Sequence, residues 1–291
     1  MRGCATATNC GTTRRDAHAP ADTGRMSRPT APPRELRPYL GELVDRTRAV
    51  CGPRLVSVLA VGSVALGDYR HGRSDVDVTV VVDDSLPRRA LPELAGALAH
   101  PALPCPAAGL ELVVYPAGFA ARPSGGAGYL LDLNTGPSLP ERAAYDPGEG
   151  PAFWYVLDRS IAHQCGLPLF GGPVRGVIAA PGRSAVLAAL RASVREHAEG
   201  EGHVADNRVL NGCRSAVYCR TGHWFAKRAA AEAVAAAEPD FRPLITEALR
   251  SFARPREAAP ALPAAAVGDF LGWVAGQVDA AAGTGGGPGA P

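Results

Sequence analysis

The stretch Val61-Gly62-Ser63-Val64-Ala65-Leu66-Gly67-Asp68-Tyr69-Arg70-His71-Gly72-Arg73-Ser74-Asp75-Val76-Asp77-Val78 decides how this chain reads. The apolar run ahead of it, Leu55 to Val61, predicts a short strand broken by Gly62-Ser63. Turn-rich residues then lead into a second strand, Asp75 to Val82. Successive strand side chains alternate, so Asp75, Asp77 and Thr79 share one face and Val76, Val78 and Val80 the other. Gly62 lets the backbone approach a ligand closely, and backbone N–H groups beside the Ser63 hydroxyl can donate to phosphate oxygens. Two carboxylates on one strand face can share a pair of hard cations such as Mg²⁺. A further strand, Leu110 to Tyr115, turns Glu111, Val113 and Tyr115 one way, so Glu111 completes an acidic trio if the strands align those faces. Three carboxylates with two metal ions make a phosphoryl-transfer centre.

Composition narrows the field around that stretch. A chain of 291 residues, 46% hydrophobic and 20% charged, is long enough for one large domain or two modest ones with a real core. Its balance of 30 basic against 28 acidic residues, net +2, is too even for a protein that coats nucleic acid. Nearly all the basic residues are arginine; Lys227 is the one lysine. It is followed by Arg228 and preceded at the required spacing by Trp224, so P-loop, protein-kinase and serine β-lactamase motifs are all excluded. The usage is that of a GC-rich genome, in which a surviving lysine is informative. Seven scattered cysteines without a Cys-x-x-Cys pair predict buried thiols in a reducing cytoplasm, and no apolar stretch is long enough to span a membrane or serve as a signal peptide. The seven histidines show no metal-ligand spacing, and His71 reads as an exposed turn residue.

Periodicity divides the chain. Residues 1–33 lack an apolar period and are expected to be a disordered extension, with Met26 a possible alternative start; 283–291 is expected to be a frayed tail. An α/β front over 34–180 holds the strands above with helices at Arg34 to Cys51, Leu86 to His100 and Phe153 to Cys165. Residues 116–151 read mostly as loop with a short element around Tyr129 to Leu133. The Gly/Pro-rich segment Gly166 to Arg183 marks the boundary, and 181–282 is all helical. The expected architecture is a small mixed-sheet domain followed by an α-helical bundle, with the site in the cleft between them. On the helix Asp206 to Thr221, the residues Asn207, Asn211, Arg214 and Tyr218 form a polar stripe. The acids Glu196, Glu199, Glu201 and Asp206 form a local cluster near its start.

Gly-Ser, a turn-rich loop, Asp-x-Asp and a later strand acid together resemble the signature of the polymerase-β-like nucleotidyltransferases. Leu110-Glu111-Leu112-Val113-Val114, the helix with Val209-Leu210 and Cys213-Arg214, then Thr221-Gly222 and Lys227 resemble more narrowly the aminoglycoside 3''-adenylyltransferases. The resemblance spans roughly residues 34 to 255. It implies that Asp75 and Asp77, with Glu111, hold Mg²⁺, that Gly62 and Ser63 cradle the nucleotide phosphates, and that Glu111 is the general base on the acceptor hydroxyl. Arg214 and Lys227 would reach the triphosphate from the helical part, and the acidic cluster would receive a polycationic drug. The implied reaction joins AMP from ATP to a hydroxyl of a streptomycin- or spectinomycin-type antibiotic, releasing pyrophosphate and conferring resistance. Expected partners are ATP and a small acceptor, with no nucleic acid or membrane, in a cytoplasmic monomer. Transfer to a protein or another metabolite, or a decayed nucleotide-binding module, are the alternatives.

Overall fold

The alternation in the valine-rich stretch is realised in a six-stranded sheet. The structure is a computed structural model that describes residues 31–199 and 204–284. The strands are β1 (Leu55–Ala60), β2 (Val76–Val82), β3 (Leu110–Pro116), β4 (Leu131–Thr135), β5 (Arg142–Ala144) and β6 (Leu167–Phe170), in the order β5-β4-β3-β2-β1-β6. Only β2 and β3 are parallel neighbours; the other pairs are antiparallel. The parallel pair needs a crossover, which carries α3 (Ala90–Leu98).

Both faces of β2 are covered, which is why it is valine on both sides beyond Thr79. On one face Val76, Val78 and Val80 pack with Leu40 and Leu43 of α1 (Arg37–Cys51) and Leu94 and Leu98 of α3. On the other, Val81 and Tyr115 pack with Tyr155 and Ala162 of α5 (Ala152–Cys165). Two short helices, α2 (Gly62–Leu66) and α4 (Ala117–Ala120), follow β1 and β3. The helices α6 (Arg183–Glu199), α7 (Ala205–Thr221), α8 (Lys227–Ala237), α9 (Arg242–Phe252) and α10 (Ala264–Gly283) enclose a second core around Leu190, Leu210, Ile245, Phe270 and Val274. At the α7–α10 crossing a Cβ on Gly212 would come within 2.8 Å of the Phe270 ring, so the small residue allows the close approach.

The mixed sheet and helical bundle are as the sequence predicts, with three differences. β2 begins at Val76, so Asp75 sits in the loop just before the strand. The Gly/Pro-rich segment 166–183 contains β6, which pairs with β1 at the sheet edge. Helix α5 faces both cores: Tyr155 and Ala162 join the sheet, while Val156, Leu157 and Ile161 join the bundle. The sheet and the bundle therefore share helix α5, just ahead of the segment that the sequence suggests as a boundary. The extension and the tail fall outside the described residues except for 31–33 and 283–284, as do Met26, Cys4, Cys10 and Glu201. Cys51, Cys105, Cys165, Cys213 and Cys219 are free and buried. No helix among the described residues is long and apolar enough to cross a membrane.

Candidate active site

The β1–β2 pairing continues one step past β1: the Val61 N–H donates to the Asp77 carbonyl at 2.9 Å, bringing Gly62 beside Asp77. Gly62 has φ +52°, and a Cβ there would collide with the Asp77 carboxylate. Only glycine satisfies both demands at this turn. The β2–β3 register sets Asp77 opposite Glu111, on the face that looks toward the helices. Asp75, one residue before β2, enters the same cavity, of about 230 Å³.

The helical wall comes from farther along the chain. Arg214 stands on α7, Lys227 at the first turn of α8, Phe252 at the end of α9, and Arg256 just beyond it. Arg214 Nε donates to the Phe225 carbonyl at 3.1 Å, and Lys227 Nζ donates to Asn207 Oδ1 at 3.1 Å. The turn between α7 and α8 is pinned from α5: the Trp224 indole N–H donates to Ser160 Oγ at 2.9 Å and its backbone N–H to Gln164 Oε1 at 3.0 Å. All seven residues predicted for the site thus line one cavity: Asp75, Asp77 and Glu111 with Gly62 and Ser63 from the sheet side, and Arg214 and Lys227 from the helical side.

A buried cluster fastens the two walls together. Arg73, in the loop ahead of Asp75, forms an ion pair with Asp206 of α7, the two being 3% and 0% exposed. Ser251 Oγ donates to the same Asp206 oxygen at 2.6 Å, and Arg73 also donates to the Arg254 carbonyl at 3.0 Å. Arg70, Arg73 and Lys227 lie 5.2–5.5 Å from the centre of the Phe252 ring, close enough for cation–π attraction. This changes the reading of the acidic cluster. Asp206 is spent on Arg73 and Ser251, while Glu196 and Glu199 are exposed and do not line the cavity. Tyr218 also leaves the polar stripe; it packs against Trp224 with ring centres 4.5 Å apart, because a helix face wide enough to hold Arg214 is already partly in the core at the next turn.

Like charges crowded into a small space set the electrostatics. Burial and then Asp75 push the Asp77 carboxyl up to about 6, against the pull of Lys227 and Arg214. Burial, Asp77 and Asp75 hold Glu111 well above the ordinary carboxylate range. Burial and then Arg214 bring the Lys227 amine down to about 8. Each of these charged groups therefore lacks compensation that a bound ligand of opposite sign would supply. Three buried donors on residues that line the cavity also have no partner among the described residues: Ser63 Oγ, Arg214 Nη2 and Arg256 Nε. Unmet donors of this kind are costly, and a phosphate chain would satisfy them.

Two charged residues of the cavity lie outside every motif read from the sequence. Arg256 Nη2 donates to Asp75 Oδ1 at 2.8 Å across the cleft. Asp158 of α5, an exposed residue, lines the cavity, where desolvation by the surrounding protein and then Asp77 push its carboxyl up to about 7. Asp158 did leave a signal: it interrupts an apolar helical run and has no cation three or four residues away. Arg256 left none, since its position depends on where the chain turns after α9. A second, more open cavity of about 310 Å³ lies beside the first, between Asp68–Arg70 and the start of α8.

Hard oxygen donors at Asp75, Asp77 and Glu111 suit Mg²⁺, an ion that takes one or two carboxylates together with substrate phosphates and water. Among the described residues no three His, Cys, Asp or Glu side chains already stand together as a metal-binding group, and Asp75 is engaged by Arg256.

The profile of the nucleotidyltransferase domain matches residues 46–113, the segment that carries Gly62, Ser63, Asp75, Asp77 and Glu111. Among solved structures, spectinomycin adenyltransferase AAD(9) from Enterococcus faecialis, determined with ATP and spectinomycin, superposes with a TM-score of 0.62 at 16% identity, covering 83% of this chain and 98% of that one. No curated protein matches the chain significantly. The segment that carries the strand acids thus matches a nucleotidyltransferase domain, and the chain shares the fold of a spectinomycin adenyltransferase.

Proposed function

We propose that this protein transfers AMP from ATP to a hydroxyl group of an aminoglycoside-type antibiotic in the cytoplasm, with Mg²⁺ as cofactor. The observation that carries the reading is the confrontation, in one cavity, of Asp75, Asp77 and Glu111 with the unpartnered donors of Ser63, Arg214 and Arg256. The spectinomycin adenyltransferase of the same fold, solved with ATP and spectinomycin, supports the choice of nucleotide and acceptor class.

Asp75 and Asp77, with Glu111, would hold the metal. Bound there, Mg²⁺ neutralises charge on the phosphates and supports loss of pyrophosphate. Ser63, Arg214 and Lys227 bind and orient the triphosphate, and Arg256 exchanges Asp75 for a phosphate oxygen. Glu111, raised by burial and then by its acidic neighbours, accepts the acceptor's hydroxyl proton. The acceptor oxygen forms its bond to the α-phosphorus as the bridge to the β-phosphate breaks, giving R–O–AMP and pyrophosphate.

The test is incubation with Mg²⁺, labelled ATP and a panel of streptomycin- and spectinomycin-type acceptors, followed by mass measurement. A gain of one AMP on a drug is expected. Label on the protein itself would instead favour a protein acceptor, and ATP binding without turnover would favour a decayed module.

A further inference from the structure

We infer that Asp158 is the specificity-determining residue for the acceptor, its carboxylate receiving an ammonium group of an amino-bearing polyol whose hydroxyl faces Glu111. The inference rests on the reading above and names the contact that recognises the substrate class.

The charges of the cavity leave this acid over. Asp75 and Asp77 belong with the metal, and Glu111 with the hydroxyl proton. Arg214, Lys227 and Arg256 belong with the triphosphate. Arg73 is consumed by Asp206, and Asp68 accepts the Arg228 backbone N–H at 3.3 Å. Asp132, on the neighbouring strand β4, is occupied by Arg142 and by the Tyr155 hydroxyl at 2.7 Å. Asp158 faces the cavity, makes no hydrogen bond or ion pair among the described residues, and is the acid this division leaves without a role. Its sequence neighbour Arg159 is no partner, because that guanidinium donates to the carbonyls of Tyr155, Ser124 and Gly126.

The surroundings have the composition of a small-molecule pocket. Ile161, one turn along α5, and Leu66 of α2 supply apolar wall, and Asn207 and Asn211 of α7 supply amide groups suited to hydroxyls and amines. Asp158 is exposed on the cavity wall with no partner among the described residues, so its carboxylate is open to an incoming cation. A cationic acceptor gains a charge-assisted hydrogen bond there, which a neutral one forgoes. The described acids near the start of α7 do not do this, since Asp206 is enclosed and Glu196 and Glu199 lie outside the cavity.

The test is steady-state transfer at saturating Mg²⁺-ATP, using spectinomycin, streptomycin and the same drugs with their amines acetylated, on wild type and Asp158→Asn. Loss of one charge-assisted hydrogen bond should raise the KM for the free amines roughly 10–100-fold, with a smaller change in kcat. The KM for ATP should stay as in wild type, and the penalty for acetylation should disappear in the variant. A thermal melt of the variant establishes that it is folded. An unchanged acceptor KM, or a loss in kcat alone, overturns the inference while leaving the transfer reaction standing. A rise in the KM for ATP instead would make Asp158 a positioning residue for Arg214. Transfer to uncharged acceptors only would also overturn the inference alone, whereas transfer to no acceptor by wild type would overturn the proposed function with it.

Discussion

On the sheet wall of the cavity, Asp77 and Glu111 come from adjacent parallel strands and Asp75 from the residue before one of them. On the helical wall, Arg214, Lys227 and Arg256 come from α7, the start of α8 and the segment after α9. The first group is placed by backbone pairing and a two-residue side-chain period, so its geometry is short-range. The second is placed by tertiary contacts, chiefly the Arg73–Asp206–Ser251 cluster and the Trp224 anchors on α5. On the proposed function, a cleft built in this way separates its chemistry: the acids proposed for the metal sit on the sheet, and the donors proposed for the triphosphate sit where helix packing sets their position.

Mutations should separate the walls by size and kind of effect. Asp77→Asn is expected to abolish transfer. Glu111→Gln should lower kcat by about 10²–10⁴, the range for removing a general base, with little change in the KM for ATP. Across the cleft, Arg214→Ala should cost about 10²–10³ in kcat/KM, with a rise in the KM for ATP, as expected for a donor to developing charge. If Glu111→Gln raised the KM for ATP and Arg214→Ala did not, the division between the walls would be wrong.

The fastening between the walls should show in stability before it shows in chemistry. Asp206→Ala leaves Arg73 buried without its partner, a change that costs about 3–5 kcal/mol. The measurement is denaturant unfolding with wild type as reference. An exposed pair such as Arg191–Asp279, with side chains 54% and 59% exposed, should contribute less than about 1 kcal/mol on the same measure.

How much of this is legible in the sequence follows the same division. Gly62-Ser63, Asp75-x-Asp77 and Glu111 can be read because strand alternation is local and the strands are short. The parity of Asp75 and Asp77 survives even though β2 starts at Val76. Arg214 and Lys227 can be found only through family resemblance, because a polar stripe on a helix looks the same whether it faces a ligand or water. Arg256 and the clamp at Arg73 depend on contacts between residues more than 130 positions apart. The acidic cluster misleads for a related reason: acids close in sequence need not share an environment, and among those described Asp206 turns inward while Glu196 and Glu199 face out.

The smallest expected effect concerns pH. Asp77 titrates near 6 in the folded chain and lower when unfolded, so the folded chain retains a proton over that interval. Its contribution to stability is full below about pH 4 and lost as pH rises through about 6. Lys227 is shifted down to about 8, so its contribution is present above about pH 10.5 and lost as pH falls through 8. Between them, near pH 7 to 8, the empty site is least favourable to the fold. Asp77→Asn should therefore raise Tm at pH 7.5 by roughly 2–4 °C, the shift for about 1 kcal/mol, and leave it unchanged at pH 4. A variant less stable at pH 7.5 would mean that the carboxylate is well compensated on the sheet wall.

The convergence of strand acids and nucleotide donors on one metal site is tested most directly by electron paramagnetic resonance of Mn²⁺ titrated into the protein with a non-hydrolysable ATP analogue. Wild type should bind Mn²⁺ tightly only when the analogue is present, and Asp77→Asn should lose that binding. Mn²⁺ binding that is indifferent to both the analogue and the Asp77 substitution would contradict it.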